Sequence, residues 1–484
     1  MANEFRSAVE LLNAMRAGEV SSVEIVDDAI ARIEAEDGEV NAVCVRDFDN
    51  AREAARAADG ARGRGEERAL LGLPITVKES YNVAGLPTTW GMPEFRDFVP
   101  HEDAVAVARV KDAGAVVLGK TNVPLMLGDL QSFNEIYGAT NNPWDLGRSP
   151  GGSSGGSAAA LASGYGPLSL GSDIAGSLRT PAHFCGVYAH KPSFGVVANR
   201  GHVPPPAPAL PSDRELAVVG PLARTARDLT LLFDVMAGPD PLTQGVAFRL
   251  DLPGARHDRL ADFRVLVLDE HPVIPTSAAV RTAVDGVASA LTHAGARVRR
   301  ESALAPDLNE AAELYMQMLM ATLAAGLPDA AYAHMREVAD GLPADASGTG
   351  AASLRGAVAT YRDWATAAGR REVHRAGWRA LFREFDAVVC PVTPTPAFQH
   401  DRTPDVTSRV VDIDGVPYPF GDQLVWAGLA TMPGLPATAV PAGRTSEGLP
   451  VGVQLVGPMF SDHTVLRLAE LLEREIGGFV PPSR

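Results

Sequence analysis

Gly151-Gly-Ser-Ser-Gly-Gly-Ser157 runs into Ala158-Ala-Ala-Leu-Ala162, and a second segment, Gly171-Ser-Asp-Ile-Ala-Gly-Ser-Leu-Arg179, follows it. The first is a loop feeding a strong helix-forming run. The second can curl successive backbone N–H groups around an anion, because Gly171 and Gly176 permit tight turns. Alone, either stretch reads as a flexible linker or a plain turn. Patterned secondary structure flanks both, and a lysine ends a buried-looking strand upstream. That lysine is Lys78, after Leu73-Pro-Ile-Thr-Val77. At a solvated strand end it has no special chemistry; buried, its pKa falls and the amine becomes a usable general base.

Outward from this block the chain alternates. Leu11, Leu12 and Met15, then Val23, Val26, Ile30 and Ile33, recur at helical spacing, and Ser21 with Glu24 makes a capping box. Ala61 to Glu67 reads as a loop. Leu73 to Val77 and Gly114 to Gly119 read as strands around a helix over Asp103 to Ala113. A Pro-rich loop covers His202 to Pro211, and a helix covers Thr225 to Met236. Residues 305 to 385 read as helical and peripheral, with Met316, Met318, Leu319 and Met320 as ordinary helix core more readily than pocket. Strands Ala387 to Cys390 and Val451 to Val456 precede a C-terminal helix around Leu466 to Glu475. The class is α/β with a buried sheet. One domain is expected over 1–484: N-terminal helices at 1–65, a catalytic core at 66–240, a helical insertion at 305–385 and the rest of the core at 386–484. No period of about 20 to 50 residues points to a solenoid.

Composition narrows the partners. The net charge of −16 repels phosphate backbones and anionic lipid, so no direct nucleic-acid groove and no membrane surface are expected. At 46% hydrophobic and 21% charged, the chain is globular rather than disordered. The 47 glycines and 37 prolines show no collagen-like period, so their excess sits in loops. Three scattered cysteines give neither a disulfide framework nor a zinc site, and no leader or apolar span is evident, so a cytoplasmic protein without metal is expected.

Two motif matches mislead. Gly114-Ala-Val-Val-Leu-Gly-Lys-Thr121 has the letters of a phosphate loop, but its middle is the strand itself, and Pro124 falls too late to open a helix at Lys120. Gly151-Gly-Ser-Ser-Gly155 fits a nucleophile elbow, yet turn residues, not a strand, precede it, and no histidine is singled out.

Taken together, the chain resembles the amidase signature family. The resemblance rests on Pro74-Ile-Thr-Val-Lys-Glu79, Gly119-Lys-Thr-Asn122, Gly138-Ala-Thr-Asn-Asn-Pro143, both Gly/Ser segments, Phe184-Cys-Gly186 leading to Lys191-Pro192, Pro433-Gly-Leu-Pro-Ala437 and Gly448-Leu-Pro-Val-Gly-Val-Gln454. It covers nearly the whole chain and is weakest between about 240 and 385. It implies a single α/β/α domain with a mixed, mostly parallel central sheet covered by helices. It also implies a Ser–cis-Ser–Lys triad: Ser177 as nucleophile, Ser153 as proton relay after a cis peptide, and Lys78 as base. No cofactor is implied. Backbone N–H groups of Ile174, Ala175, Gly176 and Ser177 match the family's oxyanion hole, and Ser154, Ser172, Asp173 and Arg179 match supporting positions; simple polar satisfaction of a tight turn accounts for these four equally well. Two departures stand out. Ala175 replaces the family's more usual Gly, which narrows the acyl pocket. Leu125 and Met126 follow Pro124 where an acidic residue is common, suggesting an apolar pocket wall.

The expected reaction is hydrolysis of a C–N bond in a small linear amide, apolar or aryl, through an acyl-enzyme. The substrate is a small-molecule amide, anilide or carbamate; a homodimer is allowed but not required. The alternatives are the A subunit of a tRNA-dependent amidotransferase, and a carbamate- or ester-cleaving member of the same family. A non-catalytic scaffold on this fold is expected to have lost Ser177, Ser153 or Lys78, and all three are present.

Overall fold

The computed structural model describes residues 4–483. Its strands, in chain order, are β1 (Val43–Arg46), β2 (Pro74–Lys78), β3 (Val116–Thr121), β4 (Phe133–Asn134), β5 (Gly138–Ala139), β6 (Leu168–Asp173), β7 (Tyr188–Lys191), β8 (Val218–Ala223), β9 (Arg264–Val267), β10 (Arg297–Arg299), β11 (Ala387–Pro391), β12 (Val410–Ile413), β13 (Val416–Pro419), β14 (Ala437–Arg444) and β15 (Pro450–Val456). Strands β4 with β5, and β12 with β13, form small hairpins. The other eleven make one sheet in the order β1-β3-β2-β6-β8-β7-β14-β15-β11-β9-β10.

The sheet is mixed and flanked by helices. Its parallel ladders fall into two blocks, β3-β2-β6 and β11-β9-β10. The remaining ladders, including all those that join the two blocks, are antiparallel. Strands β2, β6, β8 and β15 are buried at every residue, as covering on both faces requires. Alternate side chains of one strand join different layers. Val389 packs with the helices Ala226–Met236, Ala278–His293 and Asp462–Ile476, while Val388 and Cys390 pack with Trp378, Phe382 and Trp426.

Most local expectations are met. The Ser21/Glu24 capping box opens the helix Ser22–Val40. Gly114 to Thr121 is no phosphate loop: Lys120 is buried in β3, where it donates to Thr88 Oγ1 at 2.7 Å and to the Pro87 carbonyl. Three readings need correction. The N-terminal region is not purely helical, because β1 lies within it; four residues of irregular burial are too few to show a strand period. The supposed loop at Ala61 begins inside the helix Phe48–Gly63, whose buried Ala51, Ala55, Ala58 and Ala61 carry the apolar stripe to its end. The third concerns the helical region expected to be peripheral. Helix Leu308–Ala324 buries Leu314, Tyr315, Met316, Met318 and Leu319, and Ile174 and Ala175 pack against this cluster. Helix Asp329–Asp340, by contrast, has no buried residue. No helix among the described residues is long and apolar enough to cross a membrane.

Candidate active site

Strands β2 and β6 run parallel with Val77 opposite Leu170, so both end at the same edge of the sheet. That carboxyl edge is where open α/β sheets place their ligand crevices. Lys78 closes β2, Asp173 closes β6, and the loop before helix Gly155–Ala162 brings Ser153 and Ser154 between them. The peptide Gly152–Ser153 is cis. A Cβ on Gly152 would run into the backbone of Asp129 and Gln131, so the loop can lie this close only with glycine there.

Lys78 is fully buried, and Nζ donates to Ser153 Oγ at 2.7 Å, Ser172 Oγ at 2.9 Å and Ser154 Oγ at 3.0 Å. Its partners are three hydroxyls and no carboxylate. Burial pushes the ammonium pKa well below its ordinary value, and Asp173 opposes this more weakly. The neutral amine has two protons and one lone pair, so one of the three contacts must reverse direction. Ser154 Oγ already takes the Ser172 amide and donates to the Ser172 carbonyl, both at 3.3 Å. Ser153 Oγ has no partner but Lys78 among the described residues. The same holds for Ser172 Oγ, so both hydroxyls are free to donate to the amine, and Ser153 at 2.7 Å is the nearer.

Ser177 lies on the loop between β6 and helix Arg179–Cys185, joined to the first loop where the Ser154 amide donates to its carbonyl at 3.1 Å. Ser177 and Ser153 line the same cavity, although no hydrogen bond links their hydroxyls. Hydrogen bonds between groups facing one unliganded cavity often tighten only once a ligand is bound.

Around Ser177 the backbone is fixed by charge. Asp173 accepts from Arg179 Nε at 3.0 Å and Nη2 at 2.9 Å, and from the amides of Gly176 at 2.9 Å and Leu178 at 3.1 Å. Burial alone would raise this carboxyl; the Arg179 guanidinium outweighs it and holds the pKa down to about 2. Arg179 also reaches Gln454 Oε1, Thr431 Oγ1 and the Ala427 carbonyl. With the Gly176 amide committed to Asp173, the amides of Ile174, Ala175 and Ser177 remain without a partner among the described residues.

The cavity in front of these amides has a volume of about 390 Å³. Its apolar wall is built from Met126, Leu127, Leu319, Met320, Leu323, Phe420 and Leu424, together with Ile174 and Ala175. Met126 thus lies on the cavity, whereas Leu125 does not and is 53% exposed. The loop after Pro124 presents Met126 and Leu127 instead. Among the described residues no group of three or more His, Cys, Asp or Glu is placed to hold a metal ion. Several contributors had no local sequence signal: Tyr315 donates to the Ile174 carbonyl at 3.0 Å, Tyr81 donates to the Gly171 carbonyl, and Arg409 pairs with Asp129 at the cavity wall. The Met-rich run 316–320, read as helix core more readily than pocket, places Leu319 and Met320 on the cavity wall.

The Amidase family model matches residues 24–466. The chain belongs to the amidase family. It is 36% identical, over 96% of its length and 94% of the relative's, to the A subunit of glutamyl-tRNA(Gln) amidotransferase from Anaeromyxobacter sp. (strain K). It is 33% identical, over 96% of this chain and 97% of the other, to the AtzE subunit of 1-carboxybiuret hydrolase from Pseudomonas sp. (strain ADP). Among solved structures, a vestigial protein complex in inhibitor-bound form that reveals the evolutionary origins of an s-triazine catabolic enzyme is 31% identical with a TM-score of 0.79, covering 98% of this chain and 99% of that one. As a member of this amidase signature family the chain is an amidohydrolase acting on C–N bonds.

Proposed function

We propose that this amidase cleaves a small apolar or aryl amide through an acyl-enzyme on Ser177. The observation that carries the reading is Lys78: a buried amine facing three hydroxyls and no carboxylate, 2.7 Å from Ser153 Oγ. As Ser177 Oγ attacks the carbonyl carbon, its proton passes to Ser153 and the Ser153 proton to Lys78 Nζ. The oxyanion develops beside the amides of Ile174, Ala175 and Ser177, where each aligned donor contributes about 3 kcal/mol. Collapse of the tetrahedral intermediate sends the proton back through Ser153 to the departing amine. Water then attacks the ester with the same relay as base. The apolar wall favours an apolar or aryl body. A serine-directed fluorophosphonate with mass location of the adduct tests the nucleophile, and a panel of acyl amides, anilides, carbamates and esters tests the substrate class. Labelling anywhere but Ser177 would overturn the assignment.

A second reading, the A subunit of a tRNA-dependent amidotransferase, is favoured by the similarity to its counterpart in Anaeromyxobacter. It requires a partner protein, glutamine as amide donor, and tRNA contact through the partner, since the −16 charge disfavours direct contact. Glutaminase activity that appears only with such a partner would select it over the first reading.

A further inference from the structure

The charges around the cavity cancel, with one exception. Asp173 is clasped by Arg179, and Asp129 is paired with Arg409. Lys78 and His202 are both driven toward their neutral forms, chiefly by burial. Arg214 lines the same cavity on the loop between the Pro-rich tract and β8. Its hydrogen bond is from Nη2 to the Thr322 carbonyl at 3.3 Å, and among the described residues no carboxylate pairs with it. Of its neighbours in sequence, Glu215 is engaged by Arg371 at 2.7 Å, and Asp213 forms no ion pair among the described residues.

We propose that Arg214 receives a carboxylate carried by the substrate, so that the preferred amide has an apolar or aryl body with an anionic end. This rests on the reading of Ser177 as the nucleophile. A guanidinium offers a planar fork that matches a carboxylate bidentately, and Arg214 presents it from an exposed position on the cavity rim. Net protein charge does not forbid this, because charges beyond about 8 Å are largely screened at physiological salt. The helix Leu308–Ala324 sets the length. Tyr315 holds the Ile174 carbonyl beside the oxyanion amides, while Thr322 holds Arg214. Seven residues of helix separate these two anchors, a rise of about 10 Å. The carboxylate and the scissile carbonyl are expected to lie about that far apart. The tethering charge sits across the cavity from the reacting bond, with the apolar body spanning between.

The test reads a ratio of kcat/KM within two matched pairs. The acyl-side pair is azelaic mono-p-nitroanilide against nonanoyl p-nitroanilide, and the amine-side pair is 4′-acetamidobiphenyl-4-carboxylate against 4-acetamido-4′-nitrobiphenyl, whose carboxylates lie about 10 Å from the scissile carbonyl. In Arg214→Gln the carboxylate-over-neutral ratio is expected to fall about 10- to 100-fold in at least one pair, mainly through KM, with Arg214→Lys keeping part of it. The responding pair tells which side of the amide carries the anion. A ratio that shifts less than about twofold in both pairs overturns the proposal. If none of these amides is cleaved, protection of Ser177 from a fluorophosphonate by azelate takes its place: protection in the parent enzyme but not in Arg214→Gln supports the proposal, and its absence in both overturns it. Cleavage of the neutral anilides with labelling at Ser177 upholds the amidase reading whichever way the ratio goes, so the two failures are separable.

Discussion

Replacing Asp173 by Asn probes the ion pair that shapes the loop before Ser177. The carboxylate accepts from two N–H groups of Arg179 and from the amides of Gly176 and Leu178, at 2.9 to 3.1 Å. Asparagine retains one accepting oxygen and turns an NH2 group toward other donors. Arg179 keeps its neutral partners Gln454, Thr431 and Ala427, but its charge is left buried and unbalanced. Removing one partner of a buried pair costs about 3–5 kcal/mol. A shift of the carboxyl from 3.8 to about 2 converts to only about 2–3 kcal/mol. The loss lies at the larger figure, because removing the carboxylate also strands the buried Arg179 guanidinium. Urea unfolding at neutral pH measures the loss directly. The sign with pH follows from the depressed carboxyl: its stabilisation is complete above the unfolded value near 3.8 and is lost as pH falls toward about 2. The parent protein should therefore lose this increment on acidification over that window, and Asp173→Asn should lack it. Turnover should fall about 10²- to 10³-fold, the scale of a lost oxyanion donor, since the Gly176–Leu178 turn is no longer pinned. A variant within about 1 kcal/mol of the parent, or one retaining more than a tenth of its kcat, would refute the idea that this pair shapes the oxyanion segment.

Lys78→Ala should lower kcat by about 10²- to 10⁴-fold, the usual scale of a general base, measured on any cleaved anilide. Because burial lowers the Lys78 pKa, the parent's kcat/KM should rise with pH as the amine deprotonates and then level off; this acid limb should vanish from the residual activity of Lys78→Ala. Ser153→Ala should leave fluorophosphonate labelling slow but still at Ser177, whereas Ser177→Ala should abolish it; labelling of Ser177→Ala at the usual rate would remove Ser177 as nucleophile. Gly152→Ala drives a Cβ into the Asp129 and Gln131 backbone, and thermal unfolding should show a loss of about 1–3 kcal/mol. Tyr315→Phe removes the donor to the Ile174 carbonyl, with an expected cost of about 1 kcal/mol in stability and a lower kcat; an unchanged kcat would show that this bond does not position the oxyanion amides.

What could be read from the sequence was whatever depends on neighbours along the chain. The Ser21/Glu24 cap, the strands at Pro74–Lys78 and Ala387–Pro391, and the misleading phosphate-loop letters were all settled by local chemistry. Lys78, Ser153 and Ser177 come from segments far apart in sequence, and their grouping came from the family's motif spacing rather than from any local pattern. Contacts made by a single side chain across long separations left no such trace. Tyr315 reaches Ile174 across 141 positions, Arg409 reaches Asp129 across 280, and Gln454 reaches Arg179 across 275. Tyr315 and Arg409 are unremarkable in their own segments, and Gln454 stands out only as the end of a family motif that does not point to Arg179 as its partner. The pocket wall missed by one residue for a related reason: a left-handed turn at Met126 and Leu127 decides which of three consecutive apolar side chains meets the cavity, and a run of Leu and Met does not encode that turn.

The electrostatics of the site then follow from where each charge is placed relative to a partner. Burial penalises Lys78 and Asp173 alike, yet with opposite results. Asp173 has Arg179 in bidentate contact and stays ionised; Lys78 faces hydroxyls and is pushed toward the free amine. Exchanging those environments would leave a protonated lysine unable to act as a base and a neutral acid unable to hold two amides. The separation holds because Arg179 lies next to Asp173 while no carboxylate touches Lys78, so a carboxylate introduced beside Lys78 should protonate the amine and suppress turnover at neutral pH even with every catalytic side chain present.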